Sequence, residues 1–148
     1  MNRSRLLRIA AGTLLAIQLV PLPRSNPPVE GEMPAPPEVR AILKRSCYDC
    51  HSHATRWPWY AYLAPVSWLV VHDVHHAREH LDFSAWNRYD AKRQLKKTRA
   101  LWDAAEEGEM PLWSYLLLHP GAKLTPEDLE TLRRFTDERQ RSLEAAAG

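Results

Sequence analysis

The stretch that most constrains this chain is Cys47-Tyr48-Asp49-Cys50-His51, which holds the only two cysteines in 148 residues. C-x-x-C-H is the attachment signature of c-type haem. Thiols at i and i+3 reach the two vinyl groups on one porphyrin edge and form thioethers, and the imidazole that follows falls under the iron as proximal ligand. Other readings of these residues are weaker. A thioredoxin-like C-x-x-C opens a helix after a strand in a βαβ pattern, and no such pattern surrounds it. A structural zinc site takes four ligands, commonly with a second Cys or His pair, and the chain has no second cysteine pair. A disulfide across two residues is strained and leaves His51 without a role. Cys47 and Cys50 are therefore read as covalent attachment points for one haem c, with His51 on its iron.

The remaining composition narrows the fold. At this length one domain with extensions is expected. A net charge of +2 makes no electrostatic case for a nucleic-acid partner. Few stretches alternate apolar and polar residues, so a sheet is not expected. Twelve prolines against five glycines point instead to rigid turns between short helices. The six tryptophans and five tyrosines suit the rim of a cofactor crevice. The fold expected is all-α, a cytochrome c-like helical haem domain behind an N-terminal transmembrane or signal-anchor helix.

Three segments follow from the chain's layout. Residues 1–22 read as a signal anchor or signal peptide: Arg3, Arg5 and Arg8 precede an apolar run from Ile9 to Val20. That run falls short of the ~20 residues of a comfortable span, although Leu6, Leu7 and Leu22 extend it. No A-x-A site follows, so an uncleaved anchor is favoured over a cleaved signal, and the arginines favour a cytoplasmic amino terminus. Residues 23–37, with six prolines, read as a stiff tether. Residues 38–146 form the haem-binding domain. The expected location is the bacterial inner membrane, single-pass, with the domain on the periplasmic side, where haem is attached to c-type apoproteins.

Within the domain, Glu38–Ser46 reads as a helix with Val39, Ile42 and Leu43 on its apolar stripe, packing against the C-terminal helix. The aromatic run Arg56–Tyr62 reads as a wall over the haem, or else as a surface-loop satellite of the core, with Arg56 solvated by default and otherwise a partner for a propionate. Pro65–Leu81 reads as a helix burying Val66, Leu69, Val70, Val74, Ala77 and Leu81. His72, His75 and His76 lie on its other face, where a solvated polar surface is favoured over a second metal site. Asp73 falls inside the apolar stripe and so requires a partner or a polar pocket. Asp90–Glu107 reads as a helix with Ala91, Leu95, Thr98, Trp102 and Ala105 inward. Its Lys92, Arg93, Lys96, Lys97 and Arg99 form a basic cluster, ordinarily a solvated surface and otherwise one that orients an acidic redox partner. Pro111–Leu118 reads as a short apolar helix. Thr125 then caps a last helix that starts at Pro126 and buries Leu129, Leu132, Thr136 and Leu143, with Phe135 beside them.

A Met thioether commonly completes a His-ligated haem iron and raises its potential. Met1 is cytoplasmic or removed, Met33 lies in the tether, and Met110 lies in a loop bounded by Gly108 and Pro111. Met110 is the chosen ligand, with His53, His80 and His119 as bis-histidine candidates.

Asn26-Pro27-Pro28-Val29, the C-x-x-C-H block, Thr55-Arg56-Trp57-Pro58-Trp59-Tyr60, Ala64-Pro65-Val66-Ser67-Trp68 and Gly108-Glu109-Met110-Pro111 together resemble the bacterial haem-binding domain family. The similarity spans about residues 24–135. It implies a single-haem c-type cytochrome behind a membrane segment, with Cys47 and Cys50 covalently bound, His51 axial, and Met110 in the matching Met-Pro motif. The family pattern more often has Asn-Glu where this chain has His53-Ala54, and fewer histidines near His75 and His76. The expected function is membrane-tethered periplasmic electron transfer to an unidentified redox partner protein. The alternative is a haem-based gas or redox sensor with an exchangeable sixth ligand. No enzyme activity is expected, because nothing nominates the acid/base residue a peroxidase needs.

Overall fold

Pro37 opens the first helix of the domain at N1, where its missing N–H costs nothing, and Glu38 and Lys44/Arg45 complement the helix dipole at either end. The computed structural model describes residues 2–147, which are helical with no β-strand. The helices are α1 (Arg3–Ile17), α2 (Pro37–Ser46), α3 (Tyr48–His51), α4 (Val66–His80), α5 (Ala91–Glu106), α6 (Trp113–Leu116) and α7 (Pro126–Ala147). Short 3₁₀ turns stand at Trp59–Tyr62, Trp86–Arg88 and Pro120–Ala122.

α5 packs along α7, α2 lies against α7, and α4 backs α3. The core between them gathers Val39 and Leu43 of α2, Phe83, Leu101 of α5 and Leu132 of α7. α7 begins with a reciprocal cap. The Asp128 N–H donates to Thr125 Oγ1 at 3.2 Å and the Thr125 N–H to Asp128 Oδ2 at 2.8 Å. Arg45 of α2 binds the same carboxylate, so the cap also ties α7 to α2. The expected packing of residues 38–46 on the C-terminal helix is present.

Two expectations change. α4 buries Ser67, Val71 and Val74, while Val66 and Leu69 are 47% and 57% exposed. Its first two turns are apolar nearly all round, so periodicity admits two faces, and packing against α3 and the Trp59–Tyr62 turn leaves the one carrying Val71 buried. The segment 23–37 is not a free spacer. It lies as a strap across the domain, with Glu30 and Gly31 N–H groups on Ser84 O (2.9 and 3.1 Å) and Met33 N–H on Phe83 O (2.9 Å). Arg78 donates to Ser25 O, Asn26 Oδ1, Thr55 Oγ1 and Ser52 O at 2.8–3.1 Å. Gly31 is required there, because a Cβ would come within 2.9 Å of Asn87 Cγ.

α1 stands apart. Its leucines are exposed, and Gln18 just beyond it exchanges two hydrogen bonds with the Ala64 backbone (3.0 and 3.1 Å). Among the described residues, no helix is long and apolar enough to cross a membrane. Met1 lies outside the described residues.

Candidate functional site

α3 is a single turn, with Cys50 and His51 N–H groups on Cys47 O at 3.2 and 3.0 Å. Residues at i, i+3 and i+4 share a face, so Cys47, Cys50 and His51 point one way. Tyr48 sets which way. It is 4% exposed and stacks on Phe83 (centroids 5.3 Å, planes 17° apart), holding the other side of the turn in the core.

The shared face opens into a cavity of about 570 Å³. α4 lines it with Asp73, His76, Ala77 and His80; α5 with Lys96, Lys97, Ala100, Leu101, Ala104 and Ala105; the following loop with Met110, Pro111 and Leu112. Ala100 and Ala104, one turn apart, make the wall low and flat. Of the α5 residues expected inward, Thr98 and Ala105 are buried and Ala105 lines this wall, whereas Ala91 is exposed and Leu101, Ala100 and Ala104 were not expected there. The available signal was its run of small residues leading into Met110.

His51 is held by main chain alone. Its Nδ1 lies 2.9 Å from Leu81 O and 3.1 Å from Ala77 O, carbonyls that accept only, so Nδ1 carries the proton and Nε2 a lone pair. Burial depresses its pKa, against the raising effect of the two carbonyl bonds, and keeps the ring neutral. This is how metal-binding histidines are commonly oriented. Burial pushes the Cys47 thiol up to about 12 and the Cys50 thiol to about 11, the latter helped by Asp49 and Asp73. Both cysteines are free thiols, protonated at neutral pH, unlike the lowered thiolates of redox C-x-x-C sites.

Met110 reaches the cavity from a fixed backbone. Gly108, at φ +71°, ends α5 in the left-handed region, and the Met110 N–H returns to Ala104 O at 3.0 Å. Met33 is 1% exposed in the core and does not line the cavity. Of the three bis-histidine candidates only His80 lines it. His53 is buried between Asp82 (Nε2–Oδ2 2.7 Å) and Pro28 O (2.8 Å). His119 stacks on Tyr115 at 4.1 Å.

Of the aromatic run, Arg56, Pro58 and Tyr60 line an adjoining cavity of about 190 Å³ that shares Asp49, Cys50, Asp73, Leu112 and Tyr115 with the larger one, while Trp59 is 71% exposed. Arg56 is committed to Asp49 (Nε–Oδ1 3.3 Å), which also accepts from Tyr115 OH at 2.8 Å. Asp73 has His72 as its partner (Nδ1–Oδ1 3.4 Å) and lines both cavities. The histidines of α4 divide: His76 turns with His80 to the cavity, and His72 and His75 do not. Among the described residues, no group of three or more His, Cys, Asp or Glu side chains is placed to hold a metal ion.

A haem fits these residues. An apolar cleft with a flat wall takes the macrocycle, a neutral imidazole nitrogen and a thioether are both iron donors, and two protonated thiols flank the imidazole. A family model described as a haem-binding domain matches residues 12–138. No curated protein and no solved structure matches the chain.

Proposed function

This chain belongs to the haem-binding domain family, and from that premise we propose that it holds one haem c covalently and transfers single electrons. The observation that carries the reading is His51. Both nearby carbonyls take its Nδ1 proton, so its free nitrogen is the one available to a metal, on the face that also carries Cys47 and Cys50. Each thiol adds across a vinyl double bond, sulfur to one carbon and hydrogen to the other, with no net oxidation. Burial holds both thiols well above their usual pKa, as S–H groups. Met110, which lines the cavity from the loop after α5, would be the second donor to the iron. Bound there, the iron supplies a one-electron ferric/ferrous couple. The chain's contribution is two neutral donors and an apolar shell, which together favour ferrous iron.

In this reading α1 tethers the domain to the bacterial inner membrane, with the cavity on the periplasmic side. The exposed leucines of α1 support the tether. The basic residues of α5 suit an acidic redox partner.

The sensor reading draws on one observation: Met110 is 36% exposed, on a loop, and so open to displacement. One experiment tests attachment and separates the two functions. Haem should survive acidified-acetone extraction of the native chain and be lost from Cys47→Ala/Cys50→Ala. The ferrous form should be low-spin and refuse carbon monoxide. Extraction of all haem from the native chain would sink the covalent reading, and ready carbon monoxide binding would move the function to sensing.

A further inference from the structure

The larger cavity is electrically lopsided. Asp49 and Asp73 line it together with Cys50, and both line the adjoining smaller cavity with Cys50 as well, which puts two acids at the thiol end. On α5 the lining begins instead with Lys96 and Lys97. The Lys97 ammonium donates to His80 O, and its pKa is depressed by burial and then by its neighbours Lys96 and Arg93. Among the described residues neither lysine makes an ion pair, whereas Asp49 is already taken by Arg56 and Tyr115. His76 and His80 satisfy each other, Nε2 to Nε2, at 3.2 Å. What the cavity lacks at its lysine side is an anion.

A haem has the matching polarity. Its thioether-forming vinyls lie on one side of an apolar ring, and two carboxylates lie on another. Held by its vinyl side at Cys47 and Cys50, a haem in this cavity would turn its carboxylates away from the thiols, and Lys96 and Lys97 are the ammonium groups of the lining. We propose that Lys96 and Lys97 are the seat of the two haem carboxylates, orienting the ring in the cleft before the thioethers form. The proposal rests on the haem reading above and reassigns to α5 the role first expected of Arg56.

Full-length chain made without attachment machinery tests it directly. Protoporphyrin IX and its dimethyl ester, identical except for the two carboxylates, are titrated and followed by quenching of tryptophan fluorescence. Exposed charge pairs contribute modestly, so the ester should bind about 3–10-fold more weakly than the free acid. In Lys96→Gln/Lys97→Gln that difference should fall below about twofold. In Lys92→Gln/Arg93→Gln, which removes the same charge from α5 outside the cavity lining, it should persist. Equal binding of acid and ester by the native chain, or equal loss of the difference in both variants, overturns the carboxylate seat and leaves the haem reading intact. Failure to bind either porphyrin also overturns the carboxylate seat, and the haem reading is then decided by the acetone extraction alone.

Discussion

Met33 and Met110 carry the same thioether into opposite surroundings, and substitution at each should reveal a different property. Met33 is buried among Val39, Leu43 and Phe83 in the core, so Met33→Ala leaves a cavity and should cost about 2–5 kcal/mol in urea unfolding. Its haem spectrum should stay native. Met110 sits at the cavity with a third of its surface exposed, so Met110→Ala should barely move stability. It should instead give high-spin ferric haem, a lower potential and a ferrous form that takes carbon monoxide. A native spectrum in Met110→Ala would hand the distal position to His80, the other candidate lining the cavity. Single residues were also where the sequence was most legible. Cys47, Cys50 and His51 depend on local spacing, which one helical turn converts directly into a shared face. Arg56 was not legible, because its partner depends on Asp49 turning toward it, which spacing does not specify.

Among the elements, the strap and α4 are joined chiefly through Arg78. Its guanidinium reaches Ser25, Asn26, Ser52 and Thr55 together. Arg78→Met keeps the stem and removes those charged donors, at a cost of about 1.5–3 kcal/mol. Amide exchange should accelerate at Glu30, Gly31 and Met33, whose N–H groups pair with residues 83 and 84. Unchanged protection there would mean that the backbone bonds hold the strap unaided. Helix ends were readable from sequence, since Pro37, Thr125 and Gly108 are local signals. The strap was not readable: proline-rich composition predicts extended chain, and whether that chain stands free or lies on a surface is decided by Ser84 and Phe83, distant in sequence. The face of α4 was hidden for a related reason, because Val66, Leu69 and Val71 are equally apolar and only α3 distinguishes them.

For the molecule as a whole, α1 contributes little to the fold. Removing residues 1–20 deletes the two exposed Gln18 hydrogen bonds and should change unfolding free energy by no more than about 1 kcal/mol. The truncated chain should leave the membrane fraction while the full chain stays in it. Retention of the truncated chain would transfer the anchoring role to the exposed apolar surface carrying Trp59 and Trp113. The strap has a consequence in time. Asn26 leaves the ribosome 52 residues ahead of Arg78, an interval of about 3–10 s at ordinary elongation rates. Through that wait its amides have no native acceptor, and an ordinary sequence would begin to form helix or pair with another nascent strand. Pro23, Pro27, Pro28, Pro34 and Pro36 deny it both outlets, so the first part of the domain to be synthesised stays uncommitted until its partners arrive.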